Sequence, residues 1–162
     1  DCEEQATMQM SDDTIKKYPK LHYYLKINMP QVAEVHKIIN AIQKLAGKVT
    51  KETIKNALKW GQGPTIQVVH NLMCAGKKAY GCYSWGSNVL RIDEKLVKDF
   101  EAGKGLVTMK NGKKVYLVGV TLLHELTHWA DAQDGVDDAV PGDPSNEEGE
   151  AYEKAVYGDV LG

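Results

Sequence analysis

Five consecutive residues, His124-Glu125-Leu126-Thr127-His128, constrain this chain more than any other stretch, because they spell H-E-x-x-H inside a run that reads as a helix. Side chains four apart on a helix lie one above the other, so both imidazoles can reach one metal ion. The glutamate beside the first histidine projects toward the same place, where it can hold and deprotonate a water. Val115 to Leu123 (VYLVGVTLL) is an apolar run leading into the first histidine. The helical pattern continues through Trp129 and Ala130, and Gly135 supplies a stop. Leu122, Leu126 and Trp129 recur at helical spacing and should bury one face, leaving His124, His128 and Asp131 on another that faces a cleft.

A catalytic zinc takes three protein ligands and keeps a fourth position for water, so one more donor is required. After Gly135 a turn-rich loop (VDDAVPGDP) leads to Ser145, which can cap a second helix returning antiparallel. Glu148 is the favoured third ligand. It lies twenty residues beyond His128, and Ala151 three positions later lets such a helix pack closely. The same Ser145-x-x-Glu148 is also a capping box, in which the glutamate turns back to the N-cap amide. Glu147 and Glu150 are competing carboxylates. Asp134 stands six residues after the second histidine, where a metzincin places its third ligand, but that pattern needs a glycine where this chain has Asp131. Asp131 itself has two readings. It can accept an imidazole N–H from a ligand histidine and fix the ring, or be a solvated acid that opposes the helix dipole at a cost of roughly 0.3–1 kcal/mol.

HELTHWADAQDG followed by NEEGEAYEKAVYG resembles the gluzincin branch of zinc metallopeptidases. Within it, the chain is most similar to metallopeptidase domains at the C-terminal ends of bacterial polymorphic toxins and secreted effectors. The likeness covers about the last fifty residues. It implies one zinc ion on His124, His128 and Glu148, with Glu125 as general base in the hydrolysis of a protein or peptide substrate. It also implies a secreted or delivered effector, part of a larger secreted polypeptide or paired with an inhibitor protein. The tyrosine or histidine that many gluzincins aim at the oxyanion has no clear match. A rival reading comes from Gly81-Cys82-Tyr83-Ser84, which resembles the G-C-x-S setting of the ligand cysteine in peptide deformylases, forty-two residues before His124. Against it, Gly61-Gln62-Gly63 to Gln67 is too close and wrongly patterned for the glycine-rich segment those enzymes carry. A non-catalytic zinc-binding interaction module is the remaining alternative, and an intact Glu125 argues against it.

A chain of 162 residues with 43% hydrophobic content reads as one domain, 1–162, with a core that needs no metal or disulfide staple. A net charge of −2 favours neither nucleic acid nor an anionic membrane surface. No apolar segment approaches the roughly 20 residues that span a bilayer. The chain opens on Asp1-Cys2 with no visible signal peptide, which reads as a mature product or an excised domain. Cys74 and Cys82, separated by AGKKAYG, can close a small disulfide or stay as two thiols, and Cys2 sits near a terminus expected to fray.

The expected fold is α+β and zincin-like: a small twisted β-sheet packed on the H-E-x-x-H helix, with additional N-terminal and C-terminal helices. Residues 1–27 read as an irregular segment in which Asp12-Asp13-Thr14 can begin a helix that Pro19 interrupts. A helix is expected from Pro30 to Gly47, with Val32, Val35, Ile38, Ile39, Ile42 and Leu45 as its apolar stripe and His36 at its surface. Thr50 should cap a shorter one over Lys51 to Trp60. Thr65–Val69, Tyr80–Trp85 and Asn88–Asp93 read as strands, the last as an ordinary core strand in the favoured reading or, alternatively, as the edge on which a peptide could pair. Asn111-Gly112 predicts a two-residue hairpin turn within the same sheet.

Overall fold

The computed structural model describes residues 10–46, 49–59, 63–84, 87–109, 112 and 114–132. Ser11 caps α1 (Asp12–Lys17), its hydroxyl accepting from the Thr14 amide. Asp12 and Asp13 in the first turn and Lys16 and Lys17 in the last complement the helix dipole. Pro19 does interrupt this helix, but it also opens the next, α2 (Pro19–Tyr23), at a position where its missing N–H is no loss. The chain keeps winding through a wider π turn (Tyr24–Asn28), α3 (Met29–Gln31) and a tighter 3-10 turn (Val32–Glu34). Leu21, Leu25, Met29 and Ala33, four apart, are all buried, and this stripe holds the segment on the core. The stretch expected to be irregular is therefore largely helical from Asp12 onward.

The helix expected to run unbroken from Pro30 to Gly47 is split. Val35 is extended (φ −92°, ψ 95°) and exposed, so α4 (His36–Leu45) begins only after it. Ile39 and Ile42 are its buried residues, and His36 lies on the surface as the sequence suggested. Thr50 caps α5 (Lys51–Ala57), accepting from the Thr53 amide at 3.2 Å; this helix stops three residues short of Trp60.

β1 (Thr65–Val69) is followed by a small hairpin, β2 (Met73–Cys74) and β3 (Lys77–Lys78), then by β4 (Gly81–Tyr83) and β5 (Val89–Asp93). β1 lies parallel to β5, with Ile66 beside Leu90 and Val68 beside Ile92, and β4 lies antiparallel on the other side, with Gly81 opposite Ile92. The order β1-β5-β4 makes β5 the central strand, which agrees with the core-strand reading and overturns its candidacy as the peptide-pairing edge; β4 takes an edge. Leu90 and Ile92 are fully buried, which suits a strand hydrogen-bonded on both sides. Asp93 ends β5 and caps α6 (Glu94–Glu101), a helix the sequence reading did not name.

β6 (Leu106–Thr108) and β7 (Lys114–Tyr116) pair antiparallel as a ribbon apart from the three-stranded sheet. Their last pair is Thr108 with Lys114, so the connection is longer than two residues. Gly112 takes φ +86° and its amide donates to the Met109 carbonyl at 3.0 Å, a left-handed closing position that suits glycine. β7 runs directly into α7 (Leu117–Ala132), which packs on β4, β5, α4 and α6. The architecture is mixed α+β. Among the described residues, no helix is long and apolar enough to cross a membrane. Asp134, Glu147, Glu148, Glu150, the expected C-terminal helix and Cys2 lie outside the described residues.

Candidate active site

An apolar sequence on every side of a helix calls for burial all round, and α7 obeys. From Val118 to Asp131 every residue is buried except His124 and His128, which keep partial exposure. The two-sided helix expected from the sequence is thus corrected: core surrounds α7 everywhere except where the two rings open outward. Leu122, Leu126 and Trp129 are buried, but so are Thr121, Glu125, Thr127 and Asp131. Thr127 satisfies its hydroxyl within the helix, donating to the Leu123 carbonyl at 2.9 Å. Trp129 Nε1 donates to Asn88 Oδ1 at 2.9 Å, tying α7 to the start of β5.

The rings of His124 and His128 have centroids 5.4 Å apart and planes inclined by 59°, the placement that one helical turn dictates. Glu125 Oε2 stands 3.8 Å from His124 Nε2, longer than a hydrogen bond but close enough for each group to sense the other's charge. Above it passes β4, whose Gly81 comes so near that an added methyl would stand 3.1 Å from Glu125 Oε2. Asp131 is buried, 1% exposed, so its reading as a solvated surface acid does not hold. A carboxylate out of water must be matched by donors or a positive charge.

Two imidazole nitrogens and a nearby carboxylate on one helix match the nitrogen and oxygen donors that zinc prefers, and partial exposure leaves them reachable. The residues present therefore fit a metal ion. Among the described residues no group of three or more histidine, cysteine, aspartate or glutamate side chains could hold one, and the sequence-derived third-ligand candidates Asp134, Glu147, Glu148 and Glu150 lie outside those residues. The third ligand does not come from Cys82. That sulfur is bonded to Cys74, and a metal ligand must be a thiolate. Moreover, alternation along β4 turns Cys82 away from the face on which Gly81 meets α7. The deformylase reading is set aside on both grounds. Of the sequence-derived candidates, the structure brings together His124, Glu125 and His128, with Asp131 in the following turn. Gly81 and Thr121, which pack on Glu125 and on each other's strand or helix, were not singled out as site residues; the one sequence signal was the glycine within G-C-x-S.

A buried carboxylate beside two partly exposed histidines on one helix is an arrangement suited to metal-assisted hydrolysis. Residues 14–158 match the family described as metallopeptidase toxin 3, and the chain belongs to that family. It is therefore a peptidase that depends on a metal ion and acts on protein substrates. No curated protein and no solved structure matches it.

Proposed function

We propose that the protein is a zinc-dependent endopeptidase in which His124, His128 and Glu148 hold one zinc ion and Glu125 is the general base. The observation that carries this reading is the pair of tilted rings 5.4 Å apart with the Glu125 carboxylate beside them. Zinc bound there supplies Lewis acidity, which lowers the pKa of a water toward ~7 and polarises a carbonyl. Glu125 accepts the water proton and returns it to the departing amine nitrogen. Its burial keeps bulk water from competing for the carboxylate during that exchange. Asp131, three residues past His128 and buried, accepts an imidazole N–H and fixes the ring that donates it.

The substrate lies extended along β4, the edge strand whose Gly81 backs onto Glu125, and main-chain hydrogen bonds set its register. Membership of a toxin family supports a secreted or delivered effector, released from a larger polypeptide or paired with an inhibitor protein. Glu125→Gln should keep one zinc per chain by elemental analysis while turnover of a cleavable peptide falls about 10²–10⁴-fold. Undiminished turnover would refute the role of Glu125. Glu148→Ala should lose the zinc, and unchanged metal content would move the third ligand to Glu150.

A further inference from the structure

Gly81 is a glycine for want of space, not for want of backbone freedom. Its φ is not in the left-handed region that favours glycine. A methyl group there would instead stand 2.8 Å from Thr121 Cγ2, 2.9 Å from Glu125 Cγ and 3.1 Å from Glu125 Oε2, all inside normal van der Waals separation. That oxygen is the one facing His124 Nε2. The bare backbone of β4 is thus a wall behind the Glu125 side chain, and Thr121, one turn earlier on α7, closes the same corner. The wall is pinned along its length. Cys82 is bonded to Cys74, Arg91 opposite it donates to Ser84 Oγ at 2.7 Å, and the Tyr83 hydroxyl donates to the Ser87 carbonyl at 3.0 Å.

We propose that Gly81 is a positioning residue for peptide hydrolysis, seating the Glu125 carboxylate against β4, with the Cys74–Cys82 bond fixing where that strand stands. This rests on Glu125 being the general base. A side chain at 81 displaces the carboxylate from the water it must deprotonate, and its nearest neighbours are atoms of Thr121 and Glu125 rather than of either histidine ring. The defect should therefore fall on turnover alone.

The test is steady-state kinetics on the zinc-loaded protein, with elemental analysis and circular dichroism alongside. Gly81→Ala should retain zinc and fold, hold KM within about threefold and lower kcat roughly a hundredfold, the scale of a misplaced catalytic group. In the Glu125→Gln background the same substitution should lower kcat no further, because both changes remove one contribution. A kcat for Gly81→Ala within about threefold of the parent, or an equal loss in both backgrounds, overturns the proposal. Should Gly81→Ala not fold, the Cys74→Ser, Cys82→Ser pair decides, and it avoids thiol reductants that would strip zinc. An approximately tenfold fall in kcat at full zinc content supports the proposal, and unchanged kcat overturns it. Full activity of Glu125→Gln alone would instead overturn the hydrolysis reading beneath it.

Discussion

α6 and α7 meet in the core but treat polar residues in opposite ways. α6 buries Leu96 and Val97 and keeps its lysines at the surface, where Lys95 and Asp99 pair at 3.6 Å across one turn. α7 buries nearly everything, polar residues included. On α6 the lysines are explained by water, being more than half exposed. On α7 each of Thr121, Glu125, Thr127 and Asp131 has to be explained by what it touches, since burying an unmatched polar group costs about 1–3 kcal/mol. Between its two end residues only the two histidines keep an opening. A helix buried all round that still carries four buried polar residues is organised for chemistry, whereas α6 is organised for solubility.

The sharpest way to break this contrast is to compare core deletions with surface ones. Leu126 lies between Glu125 and Thr127 with no exposure. Leu126→Ala should lower unfolding free energy by roughly 2–5 kcal/mol, read from urea denaturation, because the surrounding elements cannot all close on the gap. A loss below about 0.5 kcal/mol, the range of exposed positions on α6, would show that α7 is not packed as described.

Glu94, at the first position of α6, sharpens the contrast by showing what a purely structural carboxylate looks like. Tyr18 donates to its Oε2 at 2.8 Å, His70 Nδ1 and Lys98 Nζ stand 3.1 and 3.3 Å from Oε1, and Lys17 Nζ is 3.5 Å from Oε2. The Tyr18 hydrogen bond, followed by those of His70 and Lys98, holds its pKa down from 4.5 to about 2. Burial, followed by the bond to Glu94, pushes Tyr18 up from 10.0 to about 12. A lowered carboxylate contributes stability that is complete above pH 4.5 and lost as pH falls through about 2. A raised phenol contributes stability that is complete below pH 10 and lost as pH rises through about 12. Lys17, Lys98 and His70 are more than half exposed, so salt screens their share and Tyr18 is the decisive partner. In Tyr18→Phe the acid loss should move upward toward pH 4.5, seen as urea midpoints measured against pH. An acid profile identical to that of the parent would show that the tyrosine does not hold the carboxylate.

How far the sequence could be read follows from how local each signal is. His124, Glu125 and His128 were legible because their relation is fixed within one helical turn. The helical apolar run also placed α7 correctly, but periodicity could not reveal that Asp131 is buried, since its cover comes from distant elements. The split at Val35 was hidden because the apolar stripe continues through it with no glycine or proline to mark a break. Sequence alone allows β5 to be a core strand, the favoured reading, or an edge, because strand order depends on a parallel partner, β1, reached only through the intervening hairpin and β4. The sequence of α6 did carry its signals, Asp93 as cap, Leu96, Val97 and Phe100 at helical spacing, and Gly103 with φ +82° just past its end. Glu148 stays ambiguous in sequence because a capping glutamate and a ligand glutamate demand the same residue in the same turn.

The smallest expected effect tests the other side of the comparison, where α6 is attached by local bonds. Asp93 Oδ2 accepts from the Lys95 amide at 3.1 Å, and Oδ1 accepts from the Leu72 amide at 2.9 Å. One carboxylate thus satisfies an orphan donor at the helix start and holds the turn between β1 and β2. Asp93→Ala should cost about 0.5–2 kcal/mol, toward the upper end because two amides lose their acceptor. Asp93→Asn keeps one oxygen and should fall between alanine and the parent. Peptidase turnover should be unchanged in both, because the bonds that the Asp93 carboxylate makes go to the Leu72 and Lys95 amides, neither of them a site residue. A turnover loss matching the stability loss would mean that α6 supports the site on α7 directly, and the division of labour between the two helices would fail.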